Sequence, residues 1–328
     1  MNDRALKVLE QYELEVTGMR RGRGAWLLET PRGLRILSDY SGSENRALFQ
    51  NYVMEKVRCG GYENVDMLLP NKEGSLVSMD WEGKGYVVKE WYTGRECDTS
   101  NEGEIFAAVQ NLARLHRLMR ISEKTDYREK YTAQEPLEEL RSWNAQLRKI
   151  RSFIRTRHRK SAFEQLFLEY FELYHAQALE AVHKLAEFND QLDTFYDDCD
   201  GAVCHGDYSH HHILMCGYEI ATTNFDSCRF DFQINDLYRF SRKILEKHDW
   251  NARLGMRILE TYSRVRPLSH IERRLLCVRM LYPEKFRKLA GCYYGSNKAW
   301  ISRQYSDKLR KLNAQEKSRM EFIKILSK

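Results

Sequence analysis

The chain has 328 residues, of which 42% are hydrophobic and 30% charged, and its formal net charge at pH 7 is +6. This composition is typical of a well-packed protein with room for two lobes and excludes a disordered chain. No run approaches the ~18 consecutive apolar residues of a membrane span, and the amino terminus lacks the apolar core of a signal peptide, so we expect synthesis in the cytoplasm.

Residues 4–92 predict a small lobe built on an antiparallel sheet. Apolar and polar residues alternate over residues 12–16 as they do in a strand, and glycines between residues 18 and 24 mark a turn. Further strands are predicted over residues 25–28 and 33–38. The lobe continues with its single long helix and a strand that leaves it.

That helix is predicted over residues 43–57, with Gly60 and Gly61 as its end. A strand over residues 86–92 follows and leads into the second lobe. Apolar residues at helical spacing then predict helices over the following ranges: 104–119, 137–154, 163–188, 250–264, 269–281 and 306–326. Asp236 is expected to cap a helix that begins at Leu237, because aspartate is a preferred residue before a helix.

A basic run lies between residues 141 and 160, where eight arginines and lysines occur without an acidic residue. Such a run is typical of a solvated helix face or of a contact with an acidic partner. A nucleic-acid partner is not favoured, because no aromatic-rich sheet motif or DNA-reading module accompanies the run.

The most informative segment begins with His205-Gly206-Asp207 and continues to a hairpin, Asn224-Phe225-Asp226. It resembles the active-site loop of small-molecule kinases such as the aminoglycoside and choline phosphotransferases, where HGDxxxxN is followed by a hairpin with I-D-F/W. The resemblance implies that Asp207, beside His205, stands at the position of the base that takes the proton from the attacking hydroxyl. It also implies that His212 and Asn224 stand where an asparagine and an aspartate would bind magnesium.

These two departures weaken the implied magnesium site. Magnesium prefers oxygen ligands and usually at least one carboxylate, whereas a neutral imidazole such as His212 suits zinc, copper or iron. Asn224 offers an amide oxygen without charge. Asp226 is an alternative ligand after a shift of register, because alternate residues of a strand share a face.

The same resemblance implies a lysine on the third strand of the small lobe, which grips the phosphates of the nucleotide. The strand over residues 33–38 puts that position at Ser38, so the lysine is missing. Arg35 and Lys89 are basic residues nearby, but neither stands in the matching position.

The strand that leaves the small lobe ends at Glu90, Trp91 and Tyr92. In a kinase fold this is the hinge, where backbone groups meet the adenine ring of the nucleotide. An ordinary strand between two lobes explains these residues equally well.

Eight cysteines occur without a C-x-x-C pair, which is typical of reduced thiols inside a cell. Cys204, Cys216 and Cys228 are evenly spaced beside His205, His210, His211 and His212, so a zinc site remains an alternative. Zinc ligands usually come in closer pairs, and small core residues explain the spacing better.

Five segments are similar to the spore-coat protein CotS family: residues 90–96, 204–208, 224–228, 281–286 and 293–301. The similarity extends from about residue 10 to the carboxyl end, and the last two segments are specific to that family. It implies an α+β, two-lobed protein-kinase-like fold, with a small lobe over residues 1–92 and a mostly helical lobe over residues 93–328. It also implies a location in the coat of an endospore, with other spore-coat proteins as partners.

Two functional hypotheses follow. The first is a pseudokinase that acts as a structural or binding component of the coat and needs no cofactor. The second is a phosphotransferase for a small hydroxylated molecule, with ATP and magnesium as cofactors, Asp207 as base, and Asp226 or Asn224 on the metal. The losses at Ser38, His212 and Asn224 favour the first hypothesis, because a fold alone does not establish an activity.

Overall fold

The structure is a computed structural model that describes residues 3–22, 24–122, 125–198, 201–295 and 302–327. The chain forms two compact units, of which unit 1 comprises Met1–Thr132 and Gly201–Arg239, and unit 2 comprises Ala133–Asp200 and Phe240–Lys328. These units differ from the predicted lobes, which divide the chain at residue 92, because the segment around the His-Gly-Asp loop belongs to the same unit as the amino-terminal sheet. Within the described ranges, no helix has the length and apolar character needed to cross a bilayer.

The main sheet of unit 1 is antiparallel, as the sequence predicts. Its strands are β1 (Gly18–Arg21), β2 (Ala25–Thr30), β3 (Gly33–Asp39), β4 (Leu68–Leu69), β5 (Ser78–Met79) and β6 (Gly85–Glu90). They are ordered β1-β2-β3-β6-β4, and β5 also pairs with β6. One face of this sheet buries Leu28, Leu37 and Val88 against Tyr12 and a short helix, α1 (Asp3–Leu9).

Three further helices belong to this unit: α2 (Glu44–Cys59), α3 (Glu102–Leu118) and α4 (Asp126–Tyr131). The predicted helix over residues 43–57 is confirmed as α2. Its first turn is capped by Ser43, whose side chain accepts a hydrogen bond from the backbone N–H of Arg46, and Gly60 ends it. This cap fixes where α2 begins, and α2 in turn contacts the turn that carries Asp226.

Short strands hold the predicted active-site segment in unit 1. They are β7 (Arg95–Glu96), β8 (Val203–Cys204), β9 (Ile213–Cys216), β10 (Glu219–Thr222) and β11 (Arg229–Phe230). β9 pairs with β10 on one side and β7 on the other, while β8 pairs with β11. The His-Gly-Asp loop thus runs from β8 to β9, and the turn with Asn224 and Asp226 runs from β10 to β11.

Unit 2 is helical. Its helices are α5 (Pro136–Thr156), α6 (Ala162–Ala186), α7 (Asn189–Asp198), α8 (Ile234–Lys247, which begins in unit 1), α9 (Ala252–Val265), α10 (His270–Leu281), α11 (Glu284–Gly295), α12 (Ser302–Ala314) and α13 (Glu316–Leu326). The basic run lies on α5 and the link to α6. Two of its arginines, Arg151 and Arg157, pair with Glu172 and Glu164 of α6.

The structure corrects several local predictions. Residues 12–16 are not part of a ladder, because β1 begins at Gly18 and Tyr12 packs in the core instead. Asp236 does not cap a helix from Leu237, since α8 already begins at Ile234. Helix α11 was not predicted. Residues 296–301, in the last segment that is similar to the CotS family, lie outside the described residues.

Candidate functional site

The backbone of the His-Gly-Asp loop is held by one buried carboxylate. Asp236 accepts hydrogen bonds from the N–H groups of His205 at 2.6 Å and Gly206 at 2.9 Å, and its Oδ2 is 3.3 Å from His116 Nε2. Burial opposes the charge of Asp236, yet the hydrogen bond from His116 and the nearby positive groups keep its pKa below the usual range. The residue expected to be a helix cap therefore organises the loop.

His205 is fully buried and has a structural role in this loop. Its Nε2 lies 3.0 Å from the carbonyl oxygen of Thr223, and its Nδ1 accepts the N–H of Asp207 at 3.2 Å. These two bonds need a neutral ring with its proton on Nε2. Burial lowers the pKa of His205 to about 4, in agreement with that neutral form.

The three predicted catalytic and metal positions on this loop and turn do converge. Asp207 Oδ2 is 3.1 Å from His212 Nε2, and the same nitrogen is 3.3 Å from the amide nitrogen of Asn224. Asn224 adopts a left-handed backbone conformation with φ of 68°. The imidazole of His212 thus lies directly between the side chain of the predicted base and the amide at the predicted metal position.

Asp226 faces a different partner. Its Oδ1 is 2.5 Å from the ammonium of Lys89 on β6, and Lys89 is also 3.5 Å from Asp66. The contact spans 137 residues of sequence. The alternative metal ligand of the sequence analysis is therefore engaged in an ion pair.

The structure shows where the predicted lysine position lies relative to this ion pair. In the ladder of β3 and β6, Ser38 is opposite Val87, and Ile36 is opposite Lys89. Ser38 and Lys89 are therefore diagonal neighbours on one face of the sheet. That Ser38 marks a lost lysine stays a prediction, whereas the positive group beside Asp226 comes from β6. Lys89 could have been singled out as the charged residue in the apolar run Tyr86-Val87-Val88-Lys89.

A cavity of about 620 Å³ opens beside this site within unit 1. Apolar side chains from the sheet and from β9 form part of its wall, together with Trp91. The polar part of the lining consists of Arg20, Arg21, His211, His212 and the acidic residue Glu96. A cavity of this size and mixed lining is typical of a small-molecule site.

Only one of the three predicted hinge residues lines this cavity. The N–H of Glu90 donates to the carbonyl of Met67 and that of Trp91 donates to the carbonyl of Leu34, so both are used within the protein. The Glu90 carboxylate pairs with Arg58, and the Tyr92 hydroxyl donates to the carbonyl of Val65 at 2.8 Å. Trp91 lines the cavity, and hinge binding of adenine stays a prediction.

The donor set does not fit magnesium, the ion that the kinase-like fold implies. His212 supplies a nitrogen that is bonded to Asp207, and Asn224 supplies a neutral amide, whereas magnesium needs oxygen ligands and charge. The nearby carboxylate of Asp226 already faces Lys89. Within the described ranges, no group of three or more histidine, cysteine, aspartate or glutamate side chains is arranged to hold a metal ion.

Cys204, Cys216 and Cys228 around the loop are free thiols. Cys204 and Cys228 are buried, and burial raises the pKa of both thiols. The Cys204 thiol donates to the carbonyl of Phe232 and that of Cys216 to the carbonyl of Leu214. These contacts are those of small core residues in a strand and turn region.

Comparison with known proteins places this geometry in a family. The "Spore coat protein S" of Bacillus subtilis is 21% identical over 306 residues, which cover 93% of this chain and 87% of that protein. An aminoglycoside phosphotransferase structure from Alicyclobacillus acidocaldarius aligns over 98% of this chain and 95% of its own, with a TM-score of 0.82 and 17% identity. The choline kinase LicA from Streptococcus pneumoniae aligns over 96% and 97%, with a TM-score of 0.53 and 13% identity. At these identities the structures show the fold alone, and they confirm the predicted kinase-like architecture.

A family model matches nearly the whole chain, over residues 6–326, and its description is "Spore coat putative kinase YutH". The match includes the His-Gly-Asp loop and the turn with Asn224. The predicted similarity to spore-coat proteins of kinase-like fold is confirmed. The chain belongs to this family of kinase-like spore-coat proteins.

Proposed function

We propose that this protein is a pseudokinase of the spore coat, which does not transfer phosphate and whose cavity in unit 1 serves as a binding site. The observation that carries the proposal is the position of His212, whose Nε2 is 3.1 Å from Asp207 Oδ2. The carboxylate that would accept the proton of a substrate hydroxyl is hydrogen-bonded to an imidazole. The same imidazole stands where the fold needs an oxygen ligand for magnesium.

Phosphoryl transfer depends on charge neutralisation, which supports this proposal. The reaction requires cations on the phosphate oxygens, supplied mainly by magnesium and by a lysine. Ser38 brings no charge, and Asn224 brings none to a metal. The arginines Arg20 and Arg21 line the cavity and can attract an anionic ligand, but attraction alone does not supply the metal.

A second candidate is ATP-dependent phosphotransfer to a small hydroxylated molecule. The observation in its favour is that the Asp207 side chain is 42% exposed, so that a substrate hydroxyl can reach it. In that case Asp207 is the base, and the ring of His212 turns away when substrate binds. Asp226 or Asn224 then has to hold the metal.

The coat location of this protein and its partners belong to the same proposal. The coat location is supported by the family and by the Bacillus subtilis relative. Phe153, which is 53% exposed, lies on the same stretch as six exposed basic residues of α5 and the following link: Arg141, Arg148, Lys149, Arg155, Arg157 and Arg159. A coat protein with an acidic surface is the partner that fits this chemistry.

Calorimetry with ATP, with and without magnesium, tests the proposal together with an assay of ADP formation. Because the site lacks the lysine and the metal carboxylate, we expect a Kd for ATP near or above about 1 mM and no increase of affinity with magnesium. Magnesium-dependent binding well below about 0.1 mM, or ADP formation that Asp207→Asn abolishes, contradicts the proposal and favours the second candidate.

A repaired variant provides the matched comparison. Ser38→Lys, His212→Asn and Asn224→Asp together restore the groups that the kinase resemblance requires, and we expect magnesium-dependent ATP binding in the triple variant only. Each single change should do little, because groups that act as one unit are strongly non-additive. If a well-folded triple variant binds no nucleotide, at least one position is assigned wrongly. If the unmodified protein binds as tightly, phosphotransfer becomes the leading function.

A further inference from the structure

Lys89 is a buried charge that needs an explanation beyond packing. It is 4% exposed and lies directly opposite Ile36, which lines the cavity. Burying an ammonium group is costly unless opposite charges compensate. Here the carboxylate of Asp226, 2.5 Å from the ammonium, and that of Asp66, at 3.5 Å, provide this compensation.

Asp66, the second partner of Lys89, is 1% exposed. Its Oδ2 accepts the N–H of Asn224 at 2.8 Å and faces Lys89, while its Oδ1 has no hydrogen-bond partner in the described part of the chain. A buried carboxylate oxygen without a donor is costly. Asp66 thus retains an acceptor atom that no described residue uses.

The carboxylate of Asp226 is positioned independently of Lys89. Its backbone carbonyl accepts two hydrogen bonds from Arg46 on α2, from Nε at 3.1 Å and from Nη2 at 2.7 Å. Gln50, one helical turn further along α2, contacts the same carbonyl at 3.4 Å. Removal of the Lys89 charge should therefore leave Asp226 close to its present place, while the hydrogen bond from the N–H of Asn224 still holds Asp66.

Two carboxylates on separately held backbones that converge on one positive group are an arrangement with which proteins bind divalent cations. We propose that Asp66 and Asp226 form a latent divalent-cation site, and that the ammonium of Lys89 occupies this site as a built-in cation. The protein then needs no metal to balance these carboxylates. The proposal goes beyond the lack of phosphotransfer and does not depend on it.

The test is manganese binding to Lys89→Met, followed by electron paramagnetic resonance and calorimetry. Methionine is unbranched like lysine but is one heavy atom shorter and uncharged, so we expect Mn²⁺ to bind at least tenfold more tightly to the variant than to the unmodified protein. Lys89→Arg, which keeps a cation, should remain weak. Lys89→Met combined with Asp226→Asn should lose the gained affinity, because one of the two carboxylates is neutralised.

Equal Mn²⁺ affinity of the folded Lys89→Met variant and the unmodified protein overturns the proposal. A gain of Mn²⁺ affinity in Lys89→Met that persists when Asp226→Asn is added also overturns it. If Lys89→Met is unfolded without metal, its circular dichroism is followed as Mn²⁺ is added. Recovery of the folded spectrum supports the latent site, and failure to recover it at millimolar Mn²⁺ counts against it.

The result of the Mn²⁺ test can be distinguished from the result of the test for phosphotransfer. ADP formation that Asp207→Asn abolishes, together with a gain of Mn²⁺ binding in Lys89→Met, refutes the pseudokinase but leaves the built-in cation standing. An inactive protein whose Lys89→Met variant gains no Mn²⁺ site supports the pseudokinase and overturns the built-in cation.

Discussion

Replacement of His205 by glutamine should make the protein less sensitive to mild acid. His205 is buried as a neutral ring, with Nε2 bonded to the carbonyl of Thr223 and Nδ1 accepting the N–H of Asp207. A second proton on Nδ1 would break the latter bond. Glutamine does not titrate between pH 7 and pH 5, and its amide N–H can still reach the carbonyl of Thr223.

The size of the effect follows from the two pKa values of His205. Burial lowers its pKa to about 4 in the folded protein, against about 6.5 in the unfolded chain. Because the folded value is the lower one, the contribution to stability is complete above about pH 6.5 and is lost as the pH falls towards 4. Linkage gives a loss of about 2 kcal/mol in the free energy of unfolding between pH 7 and pH 5.

Urea unfolding at pH 7 and pH 5, followed by tryptophan fluorescence, measures this loss. The free energy of unfolding should fall by about 2 kcal/mol more in the unmodified protein than in His205→Gln. Asp66, whose pKa burial raises to about 6, titrates in both proteins and cancels in the difference. His158→Gln, at an exposed position, is the matched control and should behave as the unmodified protein does. The same pH dependence in His205→Gln and the unmodified protein would refute the reasoning.

Three further substitutions test how the loop is held. Gly206→Ala should lower the free energy of unfolding by at least about 2 kcal/mol in urea titrations, because φ is +83° and a Cβ would lie 2.0 Å from the carbonyl oxygen of Ser227; a wild-type value would show that the loop relaxes freely. Asp236→Ala removes the acceptor of two backbone N–H groups and of His116, so we expect the free energy of unfolding to fall by about 3–5 kcal/mol, seen as a lower thermal midpoint. A fall of less than about 1 kcal/mol would contradict the role given to this carboxylate. Asp207→Asn affects an exposed hydrogen bond to an imidazole and should change stability by less than about 1 kcal/mol without changing ADP formation, since none is expected.

The sequence predicts the main elements well where the pattern is long. The helices α2, α3, α5 and α6 have clear apolar stripes or caps, and the His-Gly-Asp loop is recognisable from a few adjacent residues. The departures at His212 and Asn224 are visible in the same way, because the family motif fixes their positions. These parts of the prediction rest on local information.

The contacts that define the chemistry of the site are not local. Lys89 and Asp226 are 137 positions apart, and no window of the sequence shows that they form an ion pair. Asp66 is hidden in the same way, as one charged residue in the apolar run Val65-Asp66-Met67-Leu68. Asp236 was predicted as a helix cap because its sequence neighbours suggest one, whereas its donors come from His205 and Gly206, about 30 residues earlier.

The packing of Gly206 bears on how sequences of this kind are interpreted. The backbone of Ser227 lies so close to Gly206 that glycine is required for the loop to fold, whatever the loop does. Selection for a stable protein is therefore sufficient to keep Gly206 between His205 and Asp207, whether or not the protein transfers phosphate. The triplet alone is therefore not sufficient to identify an active kinase in a genome survey, and the residues at the positions of His212 and Asn224 have to be inspected as well.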